Sequence, residues 1–359
     1  MGDVAVNGNA NMDVACPVCI SGDVRQTIRL TSAEAARNCL HPRREQARYE
    51  TLRRHIAALW GRDHCYICRC GNCDFGFSDP YIAGDAFFYN TAYDRKAGEY
   101  PAQKWEYRVA KATIAAAIAA GPRNDIRLLE IGAGNGAFLA QIAPSMIRPD
   151  GILCTEYSDH GAAEIRKLGI RVVQGDIRNT DTSSHEPFDM VCMFQVLEHM
   201  DRIAELFAKL RATTSPHADL FIAVPNMRRN QFNEDNGAVL DMPPNHIGRW
   251  TRSSFEALSK REGWRIIQYL EEPTPALRSW QVFAAYRYAR ASQFDDRLSA
   301  RIRGLRRGVV SRCLEVSAVA AFAIRWVPHL PKLLSPGMGE TVFVHLRRQD
   351  HKNSDTTTR

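Results

Sequence analysis

The cysteines are the first residues whose spacing indicates chemistry, because six of the ten lie in two short clusters. The first cluster, CPVC, spans residues 16–19, and the second, CYICRCGNC, spans residues 65–73. Two Cys-x2-Cys pairs supply four thiolates, the usual ligand set of a structural zinc ion, and nearby glycines permit tight turns. The predicted zinc ligands are Cys16, Cys19, Cys70 and Cys73. Four cysteines leave no open coordination position, so we assign this zinc no catalytic role.

The other six cysteines have a different expected role. Cys65 and Cys68 lie in a strand-like run before the second pair, where buried packing is favoured and metal ligation is the alternative. The remaining four are predicted core residues: Cys39, Cys154, Cys192 and Cys313. We do not expect a disulfide framework, because a reducing compartment keeps cysteines as thiols.

A glycine-rich turn in LLEIGAGNGAF, residues 128–138, is the second pattern with chemical meaning. A short apolar run contains Glu130 and is followed by glycines at positions 132, 134 and 136. Glycines after a buried strand let the chain turn tightly and let a ligand approach the backbone. The dinucleotide fingerprint G-x-G-x-x-G is incomplete, because Ala137 stands at its third glycine. Alone, the turn fits a nucleotide site and a structural connection equally well.

Polar residues also end the next three predicted strands. Glu156 ends the second strand, where a carboxylate can accept hydrogen bonds from both hydroxyls of a ribose. Asp176 ends the third, where it can accept from the exocyclic amine of adenine while a neighbouring backbone N–H donates to the ring. The fourth strand runs into FQVLEHM. Because ligands of open α/β sheets bind beyond the carboxyl ends of the strands, these groups indicate one shared site.

The elements that must position these residues alternate between strand and helix. Apolar residues near helical spacing predict a helix over 101–120. Strands are predicted at 126–131, 151–156, 170–176, 188–194, 218–226, 264–272 and 340–348. Helices are predicted between them at 136–147, 160–169, 202–212 and 251–263, and a loop at 226–250. This alternation predicts an α/β fold with a mostly parallel sheet.

Taken together, LLEIGAGNGAF, TEYS, GDI and FDMVCMFQVLEH resemble the successive motifs of class I S-adenosylmethionine-dependent methyltransferases. The resemblance covers roughly residues 100–275 and the last strand. It implies a Rossmann-like seven-stranded sheet, with a small zinc-ribbon domain before it and a helical insertion near the C-terminus. The resemblance implies that S-adenosylmethionine is held by Glu130, Gly132, Gly134, Gly136, Glu156, Asp176, Ile177 and Gln195.

The resemblance also assigns parts of the cofactor to these residues. The glycines would line the methionine and the ribose, and Glu156 would hold the ribose hydroxyls. Asp176 and Ile177 would hold the adenine, and Gln195 would border the sulfonium. Two structural alternatives stay open: Glu130 as a turn cap and a backbone-bonding role for Gln195.

The order of a zinc ribbon, FGFSDP, FFYNTAY and the methyltransferase motifs resembles zinc-containing methyltransferases of sugar and glycan biosynthesis. It implies a small-molecule or glycan acceptor. The carbon-methylating sugar enzymes of that group usually carry a further α/β domain, whereas only about 85 residues follow position 275 here. Phe88, Tyr89 and Tyr93 either cover the ligands or pack between the two parts of the chain.

Two histidines lie where a general base for methyl transfer is expected. His246 follows the fifth strand in DMPPNHIGRWT, where the sugar carbon-methyltransferases carry an active-site histidine, and it is our first candidate. His199 follows the fourth strand and is the second, with helix capping or backbone bonding as its alternative. Further candidate acceptor contacts are Glu198, Asn245, Arg249 and Trp250, although Trp250 equally suits a core position.

Positive charge is confined to the C-terminal part of the chain. The net charge is +7, but residues 275–359 carry 15 Lys and Arg against 6 Asp and Glu, which leaves −2 for the remainder. Residues 60–80 hold only two arginines against three aspartates, so we expect no nucleic-acid partner. Residues 301–333 mix arginines with apolar residues. We favour an insertion packed on the sheet over contact with an anionic membrane.

The expected organisation follows from these patterns. Disordered tails are predicted at 1–15 and 350–359, a zinc-ribbon-like domain with linker at 16–100, the cofactor-binding domain at 101–275, a basic helical insertion at 276–338 and the last strand at 339–349. The polar N-terminus predicts no secretory signal, and no apolar run approaches about 18 residues. We therefore expect a cytoplasmic protein, with peripheral membrane contact as the alternative.

Three other functions compete with methyl transfer to a sugar. A methyltransferase for RNA or another macromolecule would use the ribbon and the basic segment as docking surfaces. A nicotinamide-dependent oxidoreductase would need the missing third glycine and would not explain GDI or VLEH. A non-catalytic binding module would not need the full set of cofactor positions.

Overall fold

The structure is a computed structural model, and it describes residues 14–92, 103–120, 125–143, 145–182, 185–236, 241–274, 276–292, 297–305, 308–325 and 327–349. The predicted tails, apart from residues 14 and 15, lie outside the described residues, and so does Tyr93.

The described residues form two sheets and a set of helices. The strands are β1 Val24–Thr31, β2 His64–Cys70, β3 Gly76–Asp79, β4 Leu128–Ile131, β5 Ile152–Glu156, β6 Arg171–Gln174, β7 Phe188–Phe194, β8 Thr214–Pro225, β9 Gly248–Arg249, β10 Trp264–Glu271 and β11 Thr341–Arg348. The helices are α1 Ser32–Cys39, α2 Gln46–Trp60, α3 Ala86–Ala92, α4 Trp105–Ala119, α5 Leu139–Ile142, α6 Asp159–Lys167, α7 Ile203–Thr213, α8 Met227–Asp235, α9 Arg252–Glu262, α10 Ala276–Ala291, α11 Leu298–Gly304, α12 Val309–Arg325 and α13 Leu330–Leu333.

The large sheet has seven strands in the order β10-β11-β8-β7-β4-β5-β6. Neighbours from β8 to β6 pair in parallel, and β11 is antiparallel to both β8 and β10. Strands such as β7 are buried along nearly their whole length, which explains their continuous apolar runs. The predicted α/β fold with a mostly parallel seven-stranded sheet is confirmed, and the carboxyl ends of β4, β5, β6 and β7 meet at one rim.

Two predicted elements differ from the structure. The helix expected over 136–147 is a short helix from Leu139 to Ile142, because Pro144 cannot continue a helical hydrogen-bond ladder. The loop expected over 226–250 contains helix α8 and strand β9. Helix α8 has little apolar periodicity because its buried residues are mostly polar, and Asn226 caps it by accepting from the Arg228 N–H at 3.0 Å.

The small sheet has the order β1-β2-β3-β9, and all of its pairings are antiparallel. Helices α1 and α2 lie between β1 and β2, and they bury Leu52, Ile56 and Trp60 in a core of their own with strand residues such as Ile67. Strand β2 contains Cys65 and Cys68, both buried, as the strand-like run predicted. The final strand β9 comes from far along the chain, after β8.

The N-terminal cysteine knuckle, residues 16–19, packs on the side of the molecule that carries the large sheet. Cys16 and Val18 belong to the same hydrophobic cluster as Phe255 and Leu258 of α9. Arg261, at the end of α9, donates from Nη1 to the Pro17 carbonyl at 2.9 Å. The knuckle is therefore fixed both by burial of apolar side chains and by a hydrogen bond from a guanidinium.

The C-terminal insertion is helical in the described residues and has a packed part and an exposed part. Phe283 of α10 and Leu333 of α13 form a small core with Phe232 of α8. Helix α12 exposes most of its side chains, and its Cys313 is exposed. The prediction that Cys313 is a core residue is wrong, because α12 presents that face outward; Cys154 and Cys192 are buried and Cys39 is half-buried.

No single helix in the described ranges is long and apolar enough to cross a membrane. Helix α12 and the following segment Val327–Leu333, bent by 58° relative to each other, together reach that length and composition.

Candidate functional site

The glycine turn after β4 requires glycine for its backbone. Gly132, Gly134 and Gly136 have φ values of 71°, 59° and 77°, in the left-handed region that side chains rarely adopt. A Cβ atom on Gly132 would also lie 2.6 Å from Cγ2 of Val196, which follows β7. The turn is thus pressed against the end of a neighbouring strand, and it leaves backbone close to the rim of the sheet.

Glu156 lies beside this turn, at the end of β5. Its Oε2 accepts from the Gly134 N–H at 2.8 Å, and its Oε1 accepts from the Ser158 N–H at 2.9 Å. The carboxylate is therefore oriented by two backbone donors from different loops. Each oxygen keeps a second lone pair, so two ribose hydroxyls are compatible partners.

Asp176 and Ile177 occupy the next strand end. Asp176 caps the short 3-10 turn Ile177–Asn179 by accepting from the Arg178 N–H at 2.8 Å, and it is ion-paired with the Arg178 guanidinium. Burial opposes ionisation, but the hydrogen bonds and charge of Arg178 lower the pKa of Asp176. Ile177 is buried. Arg178 was not predicted from the sequence, and it fixes the carboxylate that we expect at the adenine.

Two of the predicted cofactor residues are unusual: Glu130 in its burial and Gln195 in its backbone conformation. Glu130 is 2% exposed, its Oε2 has no hydrogen-bond partner in the described structure, and burial raises its pKa. Gln195 has a φ of 58°, rare for a residue other than glycine, and its N–H donates to the Ala223 carbonyl at 2.8 Å. A buried acceptor without a donor fits the α-ammonium group that S-adenosylmethionine carries.

His199 and Glu198 lie in the short turn Leu197–His199 after β7. Nδ1 of His199 is 2.7 Å from the Asn245 carbonyl oxygen, so this nitrogen carries the hydrogen and donates. Nε2 of His199 is 3.8 Å from Oε1 of Glu198. Glu198 is 1% exposed, and neither of its oxygens has a hydrogen-bond partner among the described residues. Tyr89 of α3 brings its hydroxyl to 3.2 Å from Nδ1 of His199.

His246 lies next to His199 although it comes 47 positions later in the chain. The two imidazole rings have centroids 4.6 Å apart and are perpendicular. Nδ1 of His246 is 3.5 Å from Oδ1 of Asp241, a residue that the sequence analysis did not single out. The ring is thus placed between His199 and a carboxylate.

Burial controls the ionisation of this cluster. Desolvation lowers the pKa of His199 to about 3 and that of His246 to about 3, so both imidazoles are neutral at physiological pH. Desolvation also raises the pKa of Glu198 to about 8. The site therefore holds neutral nitrogen lone pairs close to the cofactor rim.

A cavity of about 270 Å³ opens at this point. Its walls include Gln195 from the predicted cofactor rim and His246 from the loop after β8. Most other wall residues are polar, and those on and near α8 are Arg229, Asn230, Asn233 and Asp241. The structure therefore brings together a predicted cofactor residue and the predicted base at one cavity. A larger cavity of about 1010 Å³ contains neither of them.

Not every predicted acceptor contact lies there. Arg249 is buried and donates from Nη2 to Oε1 of Glu234 at 2.7 Å, away from the cavity wall. Trp250 is buried against Phe75 and Phe255, so the core alternative describes it. Asn245 contributes its carbonyl to His199, and Phe88 is a fully buried core residue. None of these four residues lines the cavity.

The four predicted zinc ligands converge. The thiol sulfurs of Cys16, Cys19, Cys70 and Cys73 all lie within 4.8 Å of one another. The Cys16–Cys73 and Cys19–Cys70 sulfur pairs are separated by 3.6 and 3.5 Å, close to the roughly 3.8 Å edge of a tetrahedron with 2.3 Å Zn–S bonds. Burial instead raises the pKa of Cys65 and of Cys68 to about 12, which keeps both as neutral thiols. The donor set fits a structural zinc ion.

Comparison with known proteins supports the class of enzyme. The model of a family described as a methyltransferase domain, Methyltransf_23, matches residues 102–269. No curated protein matches the sequence. The family match, together with the strand order and the cofactor rim, supports an S-adenosylmethionine-dependent methyltransferase.

Solved structures of methyltransferases are similar to the chain at a low level. The plantazolicin methyltransferase BpumL in complex with SAH has a TM-score of 0.41 at 14% identity, over 68% of this chain and 83% of that chain. An S-adenosylmethionine-dependent methyltransferase from Mesorhizobium loti has 0.40 at 15%, over 66% and 96%. One from Archaeoglobus fulgidus has 0.42 at 16%, over 68% and 94%. These values carry no argument about the acceptor.

The role of Glu156 in cofactor binding can be measured directly. In Glu156→Gln, one oxygen becomes an NH2 group that faces a backbone N–H, so the carboxamide can no longer satisfy both donors and the ribose. We expect the affinity for S-adenosylmethionine to fall by about 10- to 100-fold in equilibrium dialysis. Glu164→Gln, a variant of an α6 residue paired with Lys167, is the matched control. Equal affinities in both variants would contradict the assignment.

Zinc content tests the four-cysteine site. We expect about one zinc ion per purified chain by elemental analysis, and loss of that zinc with a lower melting temperature in Cys70→Ser, because three thiolates no longer close the tetrahedron. Cys68→Ala is the control, since Cys68 is buried in the same strand but lies outside the sulfur cluster. Zinc retained by Cys70→Ser and lost by Cys68→Ala would show that the ligand set is wrong.

Proposed function

We propose that this protein transfers a methyl group from S-adenosylmethionine to a sugar, nucleotide-sugar or glycan. The observation that carries the proposal is a cavity of about 270 Å³ that both Gln195, at the predicted cofactor rim, and His246 line. A methyl donor and a group that can accept a proton are both required there, and an acceptor placed between them would be aligned for transfer.

Different residues would hold different parts of the cofactor. Gly132, Gly134 and Gly136 provide a turn without side chains, and Glu156 offers its oriented carboxylate to a ribose. Asp176, held ionised by Arg178, is suited to an adenine amine. S-adenosylmethionine, when bound, supplies a methyl group on a sulfonium that leaves readily.

The character of the cavity favours a hydroxyl-rich acceptor. A volume of about 270 Å³ suits one compact sugar unit better than a large aromatic ligand. The amides of Asn230 and Asn233 can donate and accept, and the carboxylate of Asp241 can accept, as sugar hydroxyls require. The resemblance in domain order to sugar and glycan methyltransferases points to the same class of acceptor.

His246 is the group that we expect to act on the acceptor proton. It lines the cavity, it is neutral at physiological pH, and Asp241 beside its Nδ1 can orient the ring. His199 is a weaker candidate for this base, because its Nδ1 already donates to the Asn245 carbonyl and its side chain does not line the cavity. His199 therefore serves better as a positioning neighbour.

Nucleic acid is a poor fit for the N-terminal part of the molecule. Arg62 is paired with Asp79, and Arg69 is paired with Asp74, so both arginines of residues 60–80 are ion-paired within the fold. A surface that binds phosphates needs several basic side chains available together. The four-cysteine site is proposed to act on structure alone, by fixing the small sheet against α9.

Methyl transfer is tested with labelled cofactor. We expect purified protein given methyl-labelled S-adenosylmethionine and fractionated lysate to place label in the nucleotide-sugar or glycan fraction. His246→Ala should lower that label by about 100-fold while S-adenosylmethionine affinity stays within about twofold, since the histidine acts on the acceptor. The control is His217→Ala, an exposed histidine near the start of β8, at the opposite end of the strand from the rim.

Two outcomes would contradict this function. Label that accumulates in RNA or protein would show that the acceptor is a macromolecule. Near-normal transfer by His246→Ala would remove His246 from the chemistry, whatever the acceptor is.

We also propose that α12 and its neighbours contact an anionic membrane surface. Val309 and Val316 of α12 are 80% and 70% exposed and, being seven residues apart, lie on one helix face. Other large exposed apolar residues of this segment are Leu298, Leu305, Val310, Leu314, Ile324 and Val327. The same segment carries Arg301, Arg312 and Arg325, whose charge complements anionic headgroups. A lipid-linked glycan would then be within reach of the protein.

Vesicle sedimentation tests this contact. We expect the protein to sediment with phosphatidylserine-containing vesicles at low salt and not with purely zwitterionic vesicles, because both apolar burial and charge contribute. A Val309→Asp, Val316→Asp double variant should lose most of this binding. Leu277→Asp, which alters an equally exposed residue on α10, should keep it. Absence of binding at low salt would disprove the membrane contact.

A further inference from the structure

We propose that Glu198, His199 and His246 form a site for one divalent metal ion of the first transition row, distinct from the four-cysteine site. The role of this ion in methyl transfer rests on the function proposed above, whereas the site itself is inferred from the geometry alone.

The three side chains converge as ligands do. One ligand atom from each of Glu198, His199 and His246 lies within 4.8 Å of the other two, the only such group of the described residues apart from the four cysteines. An ion placed between atoms at these separations would lie about 2–3 Å from each of them, the range of metal–ligand bonds. Two imidazoles and one carboxylate are a ligand set that first-row metals use with further positions open.

The outer contacts of the two histidines match those of metal ligands. His199 donates from Nδ1 to the Asn245 carbonyl at 2.7 Å, which fixes the tautomer and leaves Nε2, the nitrogen nearer Glu198, with its lone pair. Nδ1 of His246 is 3.5 Å from Oδ1 of Asp241, which can hold that ring in the same way. Metal-binding histidines commonly donate their second nitrogen to a carbonyl or a carboxylate.

The burial of Glu198 without a hydrogen-bond partner for its carboxylate supports a metal ion independently of the ligand distances. It is 1% exposed, and both of its side-chain oxygens lack a hydrogen-bond partner among the described residues, although Nε2 of His199 is only 3.8 Å away. Fully buried carboxylates are nearly always hydrogen-bonded, because burying a carboxylate with both oxygens unpartnered is strongly unfavourable. A buried carboxylate that lies within 4.8 Å of a nitrogen of each imidazole and has no donor of its own is explained by a cation between them.

A cation at this site could contact a hydroxyl group of the acceptor. Three protein ligands leave coordination positions open, and His246 lines the acceptor cavity, so an acceptor hydroxyl can reach the same place. A divalent ion lowers the pKa of a hydroxyl that it contacts. With the ion bound, His246 would hold the ion instead of acting as the base, and the hydroxyl, whose pKa the ion lowers, would release its proton to water.

Manganese binding tests the site without any turnover. Protein in which elemental analysis finds one zinc ion per chain and no other transition metal is titrated with Mn²⁺, and free Mn²⁺ is followed by its six-line electron paramagnetic resonance signal. Thiolates are poor ligands for Mn²⁺, so the cysteines should not interfere. We expect about one Mn²⁺ bound per chain in the wild-type protein. An undiminished signal of free Mn²⁺ at every protein concentration would overturn the proposal.

Variants assign the bound ion to these residues. Glu198→Gln preserves size and His246→Ala removes one imidazole, and each should weaken Mn²⁺ binding by at least about tenfold. His217→Ala should bind Mn²⁺ as the wild type does. Binding that is equal in all of these proteins would place the ion elsewhere and refute the site, and unchanged S-adenosylmethionine affinity would show that the variants are folded.

The two proposals fail in different ways. A protein that binds S-adenosylmethionine and methylates sugars but shows no Mn²⁺ binding retains the proposed function and loses the metal site. A protein that binds Mn²⁺ through Glu198 and His246 but methylates no sugar keeps the metal site and loses the proposed acceptor.

Discussion

Two backbone hydrogen bonds made by Ile247 fix the position of the segment that carries His246. Its N–H donates to the Glu198 carbonyl at 2.9 Å, and its carbonyl accepts from the Ser78 N–H at 3.0 Å. The first bond ties the loop after β8 to the turn after β7, and the second ties it to β3 of the small sheet. Since His246 directly precedes Ile247, these bonds hold the His246 backbone beside the turn that carries His199, and the two imidazole centroids are 4.6 Å apart. The position of this segment is therefore set by main-chain hydrogen bonds, which the substitution of a side chain does not remove.

That constraint gives the N-terminal part of the chain a role in the site. Strand β9 follows Ile247 and pairs with β3, so the small sheet ends on the loop that carries His246. On the other side, the cysteine knuckle packs on α9, where Arg261 donates to the Pro17 carbonyl. A zinc ion in the knuckle would therefore stiffen the frame of the acceptor loop at a distance, without contact with any reacting group.

Much of the large sheet was predictable because its information is local. Each parallel strand is an apolar run bounded by a turn, and the glycines after β4 are required by their own φ values. Helix α8 could not be predicted in this way, because the face that it buries is polar and not apolar. Its buried Arg229 donates from Nε to Oδ1 of Asn233 and from Nη2 to the Ser279 carbonyl. Asp241 and Arg178 carry no motif, and their roles depend on residues that the fold brings near. The proximity of His199 and His246 likewise depends on a strand pairing distant in sequence.

The two clusters of potential metal ligands differ in chemistry as well as in place. Four thiols that lie within one tetrahedron close a site around a soft or borderline ion and leave it no position for another molecule. Two imidazoles and a carboxylate are harder ligands, only three in number, and one of them borders a cavity. An ion in the first set can only hold the fold together, whereas an ion in the second is open to a ligand. The two roles would stay separate even if both sites held the same metal, because they depend on the number of positions that the protein ligands leave open and not on the identity of the ion.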